Sequence, residues 1–307
     1  MTELYTILID ILLPVFIIMG IGFLMEKKFK LDLQTLAKLN IYFLVPGFIF
    51  VKLYDTNFSG KIFLLVILFF ALYMIILFLI SKLIAKFKGY SQSKSATFSN
   101  SVILFNSGNY GVPVNDLVFK GDSFAMSIQV IILTMQNILT FSYGIFAMQS
   151  ASIGKWQAIL SYFKMPVLYA MAAGILLNLF NVPMPSFLWT PANYISDGMI
   201  AIALVLLGAQ VAQIKLTSAL TDVYYSVIVR LVLGPAIAFI IILLLGIDGI
   251  TAQALFIASA MPTAVNSSVI AQEYDNHPHL AAQIVLFSTI CSAISVTGVI
   301  YLARVLF

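Results

Sequence analysis

The sequence predicts an all-α polytopic membrane protein of ten transmembrane helices. Three observations carry this. Of 307 residues, 62% are hydrophobic and 9% are charged, against roughly 25% charged in soluble domains. Sixteen basic and twelve acidic side chains cannot clothe a soluble domain of this size. Apolar segments of about 18 residues or more recur from end to end, the length a membrane-spanning helix needs. The short alternating segments of an outer-membrane barrel are absent.

Ten spans of about 20 residues use about 200. The rest make short connections and tails, with no room for a soluble domain. The first span, 4–24, opens the chain, because Met1-Thr-Glu-Leu-Tyr has neither the basic region nor the small-residue cleavage site of a signal peptide. The second, 35–54, follows a lysine-rich turn. The third (61–85) and the eighth (220–246) are the plainest, almost wholly apolar from Phe63 to Ile80 and from Leu231 to Leu245. The fifth, sixth, seventh and tenth run over 122–149, 157–180, 191–212 and 279–304. The fourth (96–119) and ninth (250–272) carry polar residues and helix breakers at their middles. Cys291, the single cysteine, excludes an intrachain disulfide.

Lysine placement orients the spans. With the N-terminus outside, the cytoplasmic loops hold Lys27, Lys28, Lys30, Lys82, Lys86, Lys88, Lys94, Lys155, Lys164 and Lys215. The opposite side holds Lys52, Lys61, Lys120 and Arg304. Ten against four is the positive-inside bias of a plasma-membrane protein of bacterial type, with both termini on the non-cytoplasmic side. The net charge of +4 sits in loops and speaks for topology over nucleic-acid binding.

The halves 1–150 and 151–307 resemble each other. Leu13-Pro-Val-Phe-Ile-Ile-Met-Gly-Ile-Gly in span 1 matches Met165-Pro-Val-Leu-Tyr-Ala-Met-Ala-Ala-Gly in span 6, with Pro14/Pro166, Met19/Met171 and Gly22/Gly174 at one offset of 152. The broken centres of spans 4 and 9 keep nearly the same offset. Five spans is an odd number, so two such repeats run in opposite directions. Inverted repeats with paired interrupted helices mark secondary transporters.

Span 4 reads Phe105-Asn-Ser-Gly-Asn-Tyr-Gly-Val-Pro-Val-Asn-Asp, and span 9 reads Ala260-Met-Pro-Thr-Ala-Val-Asn-Ser-Ser. Gly108, Gly111 and Pro113 cannot continue a helix cheaply, nor can Pro262. Unwound backbone inside a bilayer survives only where protein or trapped water satisfies it. Two such breaks leave half-helix N-termini with free N–H groups and partial positive charge, which suit a carboxylate. The candidates for holding it are Asn106, Ser107, Gly108, Asn109, Tyr110 and Pro113 in span 4, and Pro262, Thr263, Asn266 and Ser267 in span 9. A kink used only for packing is the alternative; two breaks at matching positions, both with asparagine, favour a site.

Asn106-Ser-Gly-Asn-Tyr-Gly-Val-Pro resembles the Asn-x-Gly-x-x-Gly-x-Pro signature of the auxin efflux carrier family, which includes plant PIN carriers and bacterial malate permease-like proteins. Met261-Pro-Thr-Ala-Val-Asn, followed by Ala271-Gln-Glu-Tyr, resembles the family's second signature. The resemblance covers the whole chain. Span 7 departs from it, because no proline precedes the apolar-Leu-Gly stretch between Ala201 and Gly208. The resemblance implies a fold of the sodium/proton-antiporter or bile-acid-symporter type, with spans 4 and 9 crossing. Spans 1, 2, 6 and 7 (4–54 and 157–212) would form a scaffold and a homodimer surface. Spans 3–5 and 8–10 (61–149 and 220–304) would form a moving transport domain. An organic anion, malate-like or auxin-like, would sit at the crossing, on Asn106, Asn109, Pro113, Pro262 and Asn266.

Other polar residues have two readings each. Gln136 and Asn137 in span 5 either face the crossing or act as interhelical glue. Arg230, inside span 8, either pairs with Asp116, attracts an anion, or reaches back to the cytoplasmic interface. Asp116 is a proton carrier or that partner. His277 and His279, without further ligands, make a poor metal site. No cofactor or metal is expected. Coupling to H+ or Na+ stays open, with Thr263, Ser267 and unwound carbonyls as sodium ligands. The absence of a phosphate-binding G-x-x-x-x-G-K-[ST] loop, of H-E-x-x-H and of G-x-S-x-G argues against an ATPase or a membrane hydrolase. The expected activity is secondary transport of a small organic anion by elevator-type alternating access. A sodium-coupled bile-acid-type carrier and a non-pumping sensor or channel are the competing readings.

Overall fold

The computed structural model describes residues 2–56, 60–148, 166–214 and 221–307. Its regular elements among these residues are helices, in this order: α1 Glu3–Phe29, α2 Leu33–Tyr54, α3 Gly60–Phe87, α4 Gln92–Ile103, α5 Gly111–Val118, α6 Ser123–Met148, α7 Pro166–Leu179, α8 Ser186–Ala212, α9 Thr221–Leu245, α10 Gly249–Ser259, α11 Val265–Glu273 and α12 Pro278–Leu306. Seven of them (α1, α2, α3, α6, α8, α9 and α12) are long and apolar enough to cross a membrane. Lys155, Lys164, Lys215, the start of the sixth expected span and the junction of the two halves lie outside the described residues.

Local chemistry sets the ends. Asp32 accepts from the N–H groups of Gln34 and Thr35 to start α2. Ser91 caps α4 through Lys94 N–H, and Asp122 caps α6 through Ala125 N–H. Lys30 and Gly246 close α1 and α9 in the left-handed conformation. Three long helices widen into a π turn just before a proline: Leu8–Leu12 before Pro14, Asn40–Leu44 before Pro46 and Val229–Leu233 before Pro235. The proline ring clashes with the carbonyl four residues back, and a wider turn relieves the clash. A fourth π turn, Thr140–Gly144 in α6, has no proline after it; nothing in the structure explains it.

Glycines let two helix pairs approach closely. A Cβ on Gly22 would lie 2.1 Å from the Val205 carbonyl oxygen, and one on Gly208 would lie 1.8 Å from that of Met19, so α1 and α8 pack backbone to backbone. Lys27 Nζ donates to Ala212 O at the ends of the same pair (2.8 Å). A Cβ on Gly174 would lie 2.9 Å from Phe50 O, which joins α7 to α2. Asn178 Nδ2 adds a bond to Tyr54 O (2.6 Å). The remaining helices pack around α4/α5 and α10/α11. Leu64, Leu79, Leu244 and Ile294 are among the large apolar residues exposed on the outside of the bundle, as a protein in hydrocarbon requires.

Candidate functional site

The two glycine- and proline-marked segments are unwound, and they meet. Leu104 leaves α4 in an extended conformation, as Ala264 does just before α11. Phe105 and Thr263 form an antiparallel bridge. Asn106 N–H donates to Pro262 O and Ala264 N–H donates to Leu104 O, both at 2.8 Å. Each break thus supplies one of the backbone hydrogen bonds the other lost, part of what unwound chain needs to survive in a membrane. Pro262 accepts in this bridge and has no N–H to strand. Pro113, in the first turn of α5, lacks an N–H that would have no helical partner anyway.

Side chains clamp what the bridge leaves. Gln129 Nε2 donates to Ser107 O (2.6 Å), and Gln136 Nε2 donates to Ile103 O (3.1 Å). Thr263 donates through Oγ1 to Ser101 O (2.8 Å), while its N–H reaches Ser288 Oγ (3.1 Å). Ser292 donates to Tyr110 Oη (2.9 Å). Gly111 is required by contact: a Cβ there would lie 2.5 Å from Gln129 Nε2.

The four helix ends sort by sign. The C-terminal ends of α4 and α10 share one cation. Arg230 is fully buried; Nη1 donates to Val102 O (3.0 Å), and Nη2 donates to Ser259 O and to Tyr73 Oη. Tyr73 in turn donates to Ser259 O (3.0 Å). Arg230 therefore does not reach back to an interface, nor does it pair with Asp116, whose charged neighbour is Lys52.

The N-terminal ends of α5 and α11 open onto a pocket of about 690 Å³, counting its open mouth. Its wall carries seven amides: Asn40, Asn106, Asn109, Gln136, Asn137, Gln210 and Asn266. Among the described residues, no charged side chain lines it. The backbone N–H groups of Gly108, Asn109, Val265 and Asn266, all in the wall, make no hydrogen bond among the described residues. Asn40 Nδ2 donates to Asn109 Oδ1 (3.0 Å), bridging α2 and the first break. Four buried polar atoms of the wall have no partner among the described residues: Asn40 Oδ1, Asn106 Nδ2, Gln136 Oε1 and Gln210 Oε1.

Of the residues expected at a site, Asn106, Ser107, Gly108, Asn109, Gln136, Asn137 and Asn266 come together in this pocket. Tyr110, Pro113, Pro262, Thr263 and Ser267 are buried behind it and shape or brace the crossing. Sequence reasoning missed Asn40 and Gln210. Each is an amide inside an apolar span, the signal that had singled out Gln136 and Asn137.

The profile of the membrane transport protein family matches the chain over residues 7–155 and 152–300. The chain belongs to this family. Family members similar to it include an uncharacterized transporter of Methanothermobacter thermautotrophicus, 25% identical over 93% of this chain and 95% of the relative. A putative malonate transporter of Rhizobium meliloti is 29% identical over 45% of this chain and 44% of its own length. Auxin efflux carrier component 2 of Oryza sativa is 27% identical over 40% of this chain and 20% of its own length. The protein is an integral membrane transporter and not an enzyme.

Proposed function

We propose that this family member is a secondary transporter of a small organic anion, whose carboxylate binds where α5 and α11 begin. The observation that carries the reading is the pocket itself. Two half-helix N-termini, with N–H groups unbonded among the described residues, face a wall of amides, and no acidic side chain among those residues lines the pocket. The malonate transporter among the relatives supports a dicarboxylate of malonate or malate size.

Ten crossings follow if each broken pair counts once and α7 counts with the seven long helices. The two close helix pairs support inverted repeats. Gly22 of α1 meets α8 at Val205, and Gly174 of α7 meets α2 at Phe50 and Leu53; the offset of 152 that relates the glycines also relates Val205 to Leu53. In this reading α1, α2, α7 and α8 form a scaffold and dimer surface. The other helices form a transport domain that carries the crossing between the membrane faces. Ala37, Phe141, Val167 and Gln210 line the pocket from the helix ends nearest the lysine-rich loops, which supports a state open to the cytoplasm with both termini outside. Across the opposite half, Thr56 Oγ1 donates to Ser123 O (3.2 Å), joining the two groups of helices. Outward movement of the anion needs no coupled ion, since the membrane potential favours it by about 2.3 kcal/mol per charge per 100 mV. Uptake against that potential would need H+ or Na+.

The test is Asn266→Ala in proteoliposomes. The side chain lies in the pocket wall, and no bond from it to the described residues of the crossing is formed. Transport of labelled malonate should fall about tenfold or more with insertion unchanged. Transport at the wild-type rate would refute the site.

A further inference from the structure

Arg230 is the unusual charge in this molecule. It is buried completely in the core of a membrane protein, where an ionised side chain is costly and is normally paired. The ion pairs among the described residues are Lys94–Asp222 and Arg304–Glu3, and neither includes it. Its partners are the carbonyls of Val102 and Ser259, one from the last turn of each broken segment's first half, and the neutral Tyr73 hydroxyl. The Phe105 and Tyr73 rings flank the guanidinium with their centroids at 5.0 and 5.5 Å. One turn along, Gly234 leaves room for it: a Cβ there would lie 3.1 Å from Nη2 and 2.9 Å from Tyr73 Oη.

Capping a carbonyl needs a donor, not a charge. A charge is needed when two negative helix ends converge. Each α-helix C-terminus carries about −0.5 of an elementary charge and each N-terminus about +0.5. The ends of α4 and α10 therefore sum to about −1, which the guanidinium cancels. The starts of α5 and α11 sum to about +1, and no acidic side chain among the described residues of the pocket wall cancels that.

We propose that Arg230 is the fixed counter-charge of the crossing. By taking up the two negative ends, it leaves the two positive ends to a single carboxylate, and so sets the affinity for the anion without touching it. Arg230 is thus a positioning residue for the field of the site. The inference rests on the transport reading above.

The charge and the fold are separated by KM against kcat. Arg230→Gln keeps donors for the carbonyls and removes the charge. An uncompensated unit charge one to two helical turns from the bound carboxylate is worth at least about tenfold in affinity at an effective dielectric constant near 20. The expected result for R230Q, with labelled malonate in proteoliposomes and insertion normalised, is a KM raised about tenfold. Arg230→Lys keeps the charge and gives up the planar fork and its stacking, so it should lower stability and kcat while its KM stays closer to wild type than that of R230Q. R230Q with a wild-type KM and only a lower kcat would overturn the proposal, because that is what a purely structural tie would give. If R230Q does not insert, Arg230→Met is set against Arg230→Lys: a KM raised about tenfold in R230M but not in R230K supports the charge, and equal KM values in the two overturn it. Wild-type protein that moves no carboxylate would take down the transport reading and this inference together. A working wild-type carrier with unaltered KM in R230Q would take down only the role of Arg230.

Discussion

Asn40→Ala tests whether α2 touches the substrate. Asn40 is 3% exposed. Its Nδ2 donates one hydrogen to Asn109 Oδ1 at 3.0 Å and has a second to offer a carboxylate, while its buried Oδ1 has no partner among the described residues. Truncation removes one interhelical hydrogen bond, worth about 0.6 kcal/mol between membrane helices. That is small beside a total stability of about 5–15 kcal/mol, so the thermal midpoint in detergent should hardly move. The cost to the bound state is larger. A substrate group left unpaired in a closed pocket loses about 1–3 kcal/mol, a factor of roughly 5 to 150 in affinity. The expected outcome is normal insertion with a KM for malonate raised about tenfold. Asn40→Asp adds a negative charge to the wall and should weaken the anion further than alanine does. Two results would refute the reasoning: an unchanged KM in both variants, or N40D binding more tightly than N40A.

Three other substitutions probe the frame of the site. Gly208→Ala places a methyl 1.8 Å from the Met19 carbonyl oxygen, a clash of backbone on backbone that should cost about 3 kcal/mol or more; the monodisperse fraction after extraction should drop sharply. Gly111→Ala puts a Cβ 2.5 Å from Gln129 Nε2 and should push that amide off Ser107 O, lowering transport through a distorted turn while α1 and α8 stay packed. Thr263→Val removes the bond to Ser101 O at nearly constant shape and should lower thermal stability by about 1 kcal/mol, with a KM close to wild type because Thr263 is not in the pocket wall.

The parts of this architecture legible in the sequence were those written in covalent chemistry. Gly108 and Pro262 stand in the unwound segments, and Gly111 and Pro113 open α5, where a missing N–H costs nothing, so both breaks fall where the residues predict. Pro14, Pro46 and Pro235 mark helix distortions through the clash of the ring with the preceding turn. The crossing of the two breaks was implied by the family resemblance, but the bridge that ties them was not legible, because Phe105 and Thr263 join through main-chain groups that every residue carries. Arg230 was visible as a buried cation, but its partners are carbonyls 128 and 29 residues away. Its role belongs to the tertiary structure, and Asp116 was the wrong partner to expect. Asn40 and Gln210 join the other amides only because α2 and α8 pack against the crossing. Spacing along one helix cannot express that.

Counterflow tests the central claim most directly. Proteoliposomes preloaded with unlabelled malonate are diluted into labelled malonate without an ion gradient, with malate and indole-acetate as competitors. A carboxylate carrier must show transient accumulation of label above equilibrium, abolished by a competing anion that fits the pocket. Correctly inserted protein that accumulates none of the three acids, with or without sodium and at any imposed potential, would contradict the assignment of the crossing as an anion site.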